Sequence, residues 1–241
     1  MRYGIFSDIH GNLEAFQAVL EACRQEGVRK LFCVGDIVGY GANPRECLKI
    51  IRQKNISSVA GNHDWAATGK ISDDNFNEVA QFAVRWTGNQ LSYNELNYLN
   101  HLPLIAKEED MIFVHGTLNK PERFDYLLDI RQTPDTFFLM DQPICFIGHT
   151  HVAQIYIKEE NNIHYASIPR TDIHPAKKYI VNVGSVGQPR DGNPLAAYCV
   201  YDPDLKRIEI KRTSYDLLTA QKKILEAGLP DMLAKRLALG Q

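Results

Sequence analysis

The sequence has no long hydrophobic run and few cysteines, and each absence narrows what the protein can be. No stretch reaches the roughly 20 apolar residues that a membrane-spanning helix needs, and no apolar signal core follows Met1. We therefore expect a cytoplasmic protein without a membrane partner. The 5 cysteines are scattered, odd in number and without a C-x-x-C pair, so we predict that all are reduced and structural.

Neither sign of charge dominates the sequence. The chain has 27 Lys and Arg against 29 Asp and Glu, a formal net charge of −2, which provides no chain-wide electrostatic surface for a polyanion. Basic pairs such as Arg29-Lys30 and Lys177-Lys178 do not add up to the basic groove of a nuclease. A nucleic-acid partner is therefore disfavoured, and the sequence leaves open whether the chain forms a homo-oligomer.

The order of apolar segments indicates an α/β fold. With 241 residues, 44% of them hydrophobic, and no repeat or linker, residues 1–241 are predicted to form a single domain. Short apolar runs predict strands at 2–7, 30–34, 56–60, 104–106, 111–115, 144–148, 153–157, 163–167, 179–183, 197–201 and 208–212. Helical spacing predicts helices from Leu13 to Cys23, over 74–87 and in the last thirty residues. Capping signals predict three more: one that begins after Asn43 with Pro44 as its first residue, one from the Ser92–Glu95 capping box to near His101, and one that begins at Thr133-Pro134.

The two acidic segments 108–110 and 159–162 are predicted to form exposed hairpin turns with solvated charges. Together these elements predict two packed, mostly mixed β-sheets flanked by helices, a four-layer α/β/β/α sandwich.

Five short motifs lie at predicted strand ends and contain five of the eight histidines. They are Ser7-Asp8-Ile9-His10-Gly11-Asn12, Gly35-Asp36-Ile37-Val38-Gly39, Gly61-Asn62-His63-Asp64, Val114-His115-Gly116 and Gly148-His149-Thr150-His151. If the chain stays extended past the first strand, Asp8 and His10 leave it on the same side. Each motif alone suits a polar turn, but the ordered set at strand ends predicts a metal site.

This ordered set resembles the calcineurin-like metallophosphoesterase superfamily, whose signature runs D-x-H, G-D, G-N-H-[DE], H and G-H-x-H. The segments 39–44 and 182–190 are similar to its small bacterial and archaeal phosphodiesterase-like branch. The resemblance implies a dimetal-dependent hydrolase of phosphoester bonds, acting on small-molecule or nucleotide substrates.

The resemblance also implies a role for each motif residue. One metal would be held by residues matching Asp8, His10, Asp36 and His151, and the second by those matching Asn62, His115 and His149, with Asp36 as a shared bridge. A bridging carboxylate would hold two cations about 3.5–4 Å apart, with a metal-bridging hydroxide as the nucleophile. Imidazole, carboxylate and amide donors suit manganese, our first choice, or iron, zinc, cobalt or nickel.

Three further polar residues have two interpretations each. His63 matches the histidine that does not bind metal and would protonate the leaving oxygen or stabilise the phosphoryl group, although a structural role is possible. Asp64 either orients His63 or caps the following turn. Asn12 either contacts substrate or caps the first helix.

The sequence departs from the protein-phosphatase branch after Asp36, where Gly39-Tyr40-Gly41 replaces the D-R-G of that branch. This argues against a phosphoprotein phosphatase, and Arg190 is the candidate for the phosphate contact or else an exposed loop residue. Tyr40, Phe124 and Tyr126 either line a substrate cleft or serve packing.

Two alternative functions remain open from the sequence. The first is a symmetrical dinucleoside polyphosphate hydrolase. The second is a non-catalytic scaffold on the same fold, which the complete ligand set disfavours.

Overall fold

The computed structural model describes residues 1–241, and its two sheets are mixed, as predicted. The first sheet has the strand order β3-β2-β1-β11-β12-β9 and the second β4-β5-β6-β10-β7-β8. The strands are β1 Arg2–Phe6, β2 Val28–Cys33, β3 Ser57–Ser58, β4 Ile105–Glu108, β5 Met111–Val114, β6 Ile144–Ile147, β7 Gln154–Glu159, β8 Asn162–Tyr165, β9 Arg170–Asp172, β10 Lys177–Asn182, β11 Ala196–Asp202 and β12 Arg207–Thr213.

Helices cover the outer faces of the two sheets. They are α1 Leu13–Gln25, α2 Pro44–Gln53, α3 Asn62–Ala67, α4 Glu78–Gln90, α5 Tyr93–Asn100, α6 Pro134–Leu139, α7 Leu217–Glu226 and α8 Asp231–Leu239, with single 3₁₀ turns at Pro121–Arg123 and Ile130–Gln132. No helix is both long and apolar enough to cross a membrane.

The alternation of side chains along the strands produces separate cores on the two faces of each sheet. In β1, Ile5 packs between the sheets, whereas Phe6 packs outward against Phe16 of α1. In β6, Ile144 packs between the sheets, whereas Cys145 belongs to an outer cluster with Phe137 of α6. All 5 cysteines are buried and unpaired, as predicted.

Several predicted element boundaries are wrong, and capping explains the clearest case. The helix predicted over 74–87 begins only at Glu78, because the Asn77 side chain accepts a hydrogen bond from the Ala80 amide. Asn43 precedes α2 but makes no side-chain cap. The strand predicted over 56–60 is reduced to Ser57–Ser58, and β9 was not predicted.

The acidic turn at 108–110 forms the predicted hairpin, but its charges are not simply solvated. Tyr3 donates its hydroxyl hydrogen bond to Glu109 over 2.8 Å, and Tyr201 donates to Asp110 over 2.5 Å. Both tyrosine rings are buried between the sheets, and a buried ring of this type needs an acceptor for its hydroxyl group. The turn therefore supplies acceptors at the end of the central core.

Candidate metal centre

The predicted ligands follow the carboxyl ends of strands from both sheets. β1, β2 and β3 are parallel neighbours in the first sheet, and β5 and β6 are parallel neighbours in the second. Parallel strands end at a common edge, so the loops after them meet there. The residues on these loops are Asp8 and His10 after β1, Asp36 after β2, Asn62 after β3, His115 after β5, and His149 and His151 after β6.

The backbone at these loops is not extended, contrary to the expectation for Asp8 and His10. Five of the seven predicted ligands lie in the left-handed region, with φ of 55° at Asp8, 48° at His10, 53° at Asp36, 70° at His149 and 61° at His151. Asp8 and His10 still converge, with Asp8 Oδ1 3.7 Å from His10 Nε2, but through tight left-handed turns and not through strand alternation. Such backbone costs about 1–3 kcal/mol per residue and is typical of functional sites.

Two glycines allow the loops to approach the carboxylates. A Cβ atom at Gly61 would overlap the Asp36 carboxylate, and one at Gly148 would overlap the Ser7 hydroxyl and lie 2.5 Å from the Asp8 Oδ2 atom. Both motifs therefore need glycine for space, independently of φ.

The donor atoms form two neighbouring groups with Asp36 between them. Asp8, His10 and His151 form one group, and Asp36, His115 and His149 form another, each with donor atoms within 4.8 Å of one another. The Asp36 Oδ2 atom lies 3.6 Å from His10 Nε2 and 3.3 Å from His115 Nε2. A single carboxylate oxygen thus faces histidines of both groups.

Backbone carbonyls fix three of the histidine rings. The Nδ1 atoms of His10, His115 and His151 lie 3.1, 2.7 and 2.5 Å from the carbonyl oxygens of Val38, Val34 and Gln188. Because a carbonyl oxygen only accepts, each Nδ1 carries a proton, and Nε2 is the nitrogen of each ring that can bind a cation.

Each carboxylate also divides its two oxygens. Asp36 Oδ1 accepts from the His63 amide over 2.9 Å, and Asp8 Oδ2 accepts from the His149 amide over 3.0 Å. The other oxygen of each group faces the histidines. Asp8 Oδ1, Asn62 Oδ1 and His115 Nε2 are buried without any hydrogen-bond partner. Buried polar atoms are rarely left unpartnered, so this donor set fits bound cations.

Burial and mutual proximity shift the ionisation of these groups. Burial disfavours charge at His115, but the Asp36 carboxylate prevails and raises the His115 pKa to about 9. Burial lowers the pKa of His149 to about 3 and that of His151 to about 4. Burial opposes ionisation of Asp8, yet His151 and the other nearby imidazoles hold the pKa of this carboxyl well below its usual range. Cations bind neutral imidazoles and ionised carboxylates, so His149, His151 and Asp8 have the ligating form, whereas His115 would release a proton when a cation binds.

Comparison with known proteins identifies the family. A family model described as the calcineurin-like phosphoesterase superfamily domain matches residues 1–206. The chain belongs to this superfamily. It is accordingly an enzyme that hydrolyses phosphoester bonds, and the family depends on two metal ions.

Two relatives and one solved structure match 85% or more of this phosphoesterase chain. It is 42% identical over 241 residues to an uncharacterized protein of Methanocaldococcus jannaschii, covering 98% of this chain and 97% of the other. Phosphodiesterase YfcE of Escherichia coli is 27% identical over 212 residues, covering 85% and 89%. The crystal structure of a metallophosphoesterase from Sphaerobacter thermophilus superimposes with a TM-score of 0.86 at 41% identity, covering 100% and 99%.

The predicted proton donor of this phosphoesterase lies against the first group of donors. The His63 ring is 4.8 Å from the His10 ring and 4.5 Å from the Tyr40 ring, centroid to centroid, and its Nδ1 atom is buried without a partner. Burial lowers the pKa of His63 well below its usual range despite the Asp36 carboxylate nearby. His63, His10 and Asp36 also form a third compact donor group, so distance alone does not exclude it as a ligand.

Asp64 connects two of the ligand-bearing loops. Its Oδ1 atom accepts from the amides of Ile37 and Val38 over 2.9 and 3.2 Å, and its Oδ2 atom from Gly61 over 3.0 Å. Asp64 is therefore a cap, but the amides that it caps precede it in the chain, in the loop after β2 and at the start of α3, and do not belong to the following turn. Burial raises the Asp64 pKa to about 7, with the Asp36 carboxylate adding to the shift.

The two predicted substrate contacts differ in their surroundings. Asn12 caps α1 through the Ala15 amide and donates to the Gly187 carbonyl, so both ends of its side chain are engaged. The Arg190 guanidinium lies 5.6 Å from the Tyr40 ring and donates to Gln188 Oε1 over 2.9 Å. Arg190 is half-buried beside the site and is not a free loop residue.

An open cleft of about 610 Å³ reaches the centre from the surface. It is lined at its inner end by Asn62, His63 and His149, and along its walls by the segments 71–77 and 122–126, together with Tyr40 and Ala80. All three aromatic residues singled out in the sequence, Tyr40, Phe124 and Tyr126, line it. Phe124 also packs edge-on against Trp65.

The sequence did not reveal several residues that support the loops. The Ser185 hydroxyl donates to the Asp8 carbonyl over 2.9 Å, and Gln188 supplies the acceptor for His151. The Tyr126 ring stacks on His149 at 3.9 Å and 12°. Segment 182–190 was noted only as a family resemblance, and nothing in the sequence pairs it with Asp8 or His151.

Proposed function

We propose that this phosphoesterase hydrolyses small organic phosphodiesters and phosphomonoesters, with two manganese ions held by Asp8, His10, Asp36, Asn62, His115, His149 and His151. The position of Asp36 carries the proposal, because one oxygen of its carboxylate faces histidines of both donor groups. Two cations bound there would activate a shared water and neutralise the charge of the phosphoryl oxygens.

The chain's own side chains would supply the remaining chemistry. His63 would donate a hydrogen bond or a proton to the leaving oxygen, a role supported by its position in the cleft lining beside Asn62 and His149. Arg190, whose guanidinium lies 5.6 Å from the centroid of the Tyr40 ring, would contact a phosphoryl oxygen. Asn12 remains a second candidate for contacting the substrate, although its side chain is already hydrogen-bonded.

The alternative of a dinucleoside polyphosphate hydrolase has no observation of its own. A putative diadenosine tetraphosphatase superimposes with a TM-score of 0.53 at 17% identity, a likeness of fold alone. A non-catalytic scaffold would be expected to have lost donors, and this chain retains the complete set.

A substrate panel tests the proposal. Purified protein is assayed with p-nitrophenyl phosphate, bis(p-nitrophenyl) phosphate, cyclic nucleotides and diadenosine tetraphosphate, in the presence of manganese, iron, cobalt, nickel or zinc. We expect hydrolysis of the p-nitrophenyl esters, highest with manganese and abolished by chelation. His101→Ala, which changes an exposed histidine outside the site, serves as the control. Absence of hydrolysis with every metal would contradict the proposal.

A further inference from the structure

The cleft differs in charge from the candidate metal centre that it reaches. Its charged lining residues are two carboxylates, Glu122 and Asp125, and one guanidinium, Arg123. Arg123 lies 3.5 Å from Asp125, so these two opposite charges offset each other and Glu122 is the charged lining residue without an ion-pair partner. Arg190, the cation beside the site, is not among the residues that line the cleft. The cleft therefore has no unpaired cation for a second phosphate.

The remaining lining is polar and aromatic but uncharged. Ser72, Asn75 and Asn77 face the cleft on one wall, and Phe76 and Tyr126 add aromatic surface. A volume of about 610 Å³ lies within the range of sites for small organic ligands. Amide and hydroxyl groups beside aromatic rings suit a planar group with hydrogen-bonding edges.

The position of His63 indicates which of the two groups on the phosphorus atom lies in the cleft. Because His63 lies at the inner end of the cleft, the oxygen that it would protonate belongs to the group that occupies the cleft. We propose, resting on the function proposed above, that this cleft binds the leaving group of a phosphodiester and selects an uncharged nucleoside-like group over one with further phosphates.

The test compares two phosphodiesters that differ in the charge of the leaving group and break the same kind of bond. Adenylyl adenosine releases an uncharged nucleoside, whereas its analogue with a phosphate on both terminal hydroxyl groups releases a nucleotide. We expect kcat/KM to be roughly tenfold or more higher for adenylyl adenosine, because a charged leaving group meets the carboxylates. In Glu122→Gln/Asp125→Asn the preference should fall by roughly three- to tenfold.

The control Glu226→Gln/Asp231→Asn removes two carboxylates from the C-terminal helices and should keep the wild-type preference. A wild-type preference for the phosphorylated analogue, or an unchanged preference in Glu122→Gln/Asp125→Asn, would overturn the inference. Hydrolysis of bis(p-nitrophenyl) phosphate is measured in parallel. If that ester is cleaved while the preference is absent, only the cleft assignment fails; if no ester is cleaved, the proposed function fails with it.

A second inference rests on a different observation, the orientation of His149. The other three histidines of the two donor groups have their Nδ1 atoms against backbone carbonyls. The His149 ring instead stacks on Tyr126, with the ring centroids 3.9 Å apart and the planes at 12°. Tyr126 is 47% exposed, so this ring covers His149 from the solvent side.

We infer that Tyr126 is a positioning residue. Its ring holds the His149 ring by stacking, whereas the rings of His10, His115 and His151 are held by hydrogen bonds to backbone carbonyls. Loss of a group that hydrogen-bonds to a metal ligand weakens metal binding by roughly 10- to 100-fold in proteins, and we expect a loss of similar size when the stacked ring is removed. Only the group containing His149 should be affected, because Tyr126 contacts no ring of the Asp8, His10 and His151 group.

Metal content measured by elemental analysis after desalting provides the test. We expect Tyr126→Ala to retain close to one of two manganese ions, and Tyr126→Phe, which keeps the stacked ring, to retain both. Tyr93→Ala removes a tyrosine that is 81% exposed on α5 and should also retain both. Two ions bound in Tyr126→Ala with wild-type affinity would overturn the inference, as would equal loss in Tyr126→Phe.

Discussion

At the scale of single residues, five of the seven candidate donor side chains have one polar atom held by the backbone and another directed into the site. Asp8 and Asp36 each give one oxygen to a backbone amide, and three histidines each give Nδ1 to a carbonyl. Residue types alone do not determine this division. It follows from loops that place amides and carbonyls behind the ligands.

His63→Ala should separate proton donation from electrostatic stabilisation. We expect both metals and the fold to be retained, while turnover of esters with poor leaving groups falls by roughly 10²- to 10⁴-fold. The loss should be much smaller for p-nitrophenyl esters, because p-nitrophenol leaves without protonation. Steady-state kinetics on alkyl and p-nitrophenyl diesters measure the difference. Metal loss in this variant would identify His63 as a ligand, which its distance from His10 and Asp36 permits.

Asp36→Ala and His151→Ala should differ in the number of metals lost. Asp36 faces both donor groups, whereas His151 belongs to one. We therefore expect Asp36→Ala to remove most activity and weaken both metals, and His151→Ala to disturb chiefly one. Elemental analysis of the two variants checks this expectation. Full and equal occupancy in both would refute the shared-carboxylate assignment.

At the scale of elements, strands supply position and the loops after them supply direction. Strand ends were predictable because apolar runs stop where the polar motifs begin. The left-handed turns that direct Asp8, His10 and Asp36 were not predictable, because glycine is the residue whose presence indicates such a turn in a sequence.

The family model ends at residue 206, beyond which α7 and α8 pack against Tyr40 together with α4.

Gly61→Ala should weaken metal binding through a steric clash and not through backbone strain. Gly61 has φ of −101°, which alanine adopts freely, but its Cβ would overlap the Asp36 carboxylate. We expect metal affinity to fall by at least about tenfold. The control Gly69→Ala has φ of 73° and open space, so it should cost about 1 kcal/mol of stability and leave metal binding unchanged. Titration of manganese into both variants distinguishes the two effects, and equal affinities would rule out the steric explanation.

At the scale of the whole molecule, the candidate metal centre joins the two sheets. Asp8, His10 and Asp36 follow strands of the first sheet, whereas His115 and His149 follow strands of the second. Cations bound between them would tie the sheets together at one edge. The assignment of residues 1–241 to a single domain remains a prediction, supported by the central core that both sheets share.

Chelation of metal should therefore lower the melting temperature. A ligand at a hundredfold excess over its Kd stabilises the folded state by about 2.7 kcal/mol. For a chain of 241 residues, each kcal/mol shifts Tm by roughly 2–4 °C. We expect a decrease of several degrees on chelation, measured by thermal unfolding with and without manganese. Asp36→Ala is the control and should show little difference between the two conditions.

The sequence by itself determined the family and the sheet-and-helix composition, and it predicted the seven candidate donors, because local apolar patterns and short motifs carry that information. Tertiary structure decided which atom of each donor faces the site, how Tyr126 stacks on His149 and how the 71–77 and 122–126 segments form a cleft. These features depend on contacts between residues far apart in the chain. Such contacts leave no periodic signal in the sequence, and they arise only when the two sheets pack together.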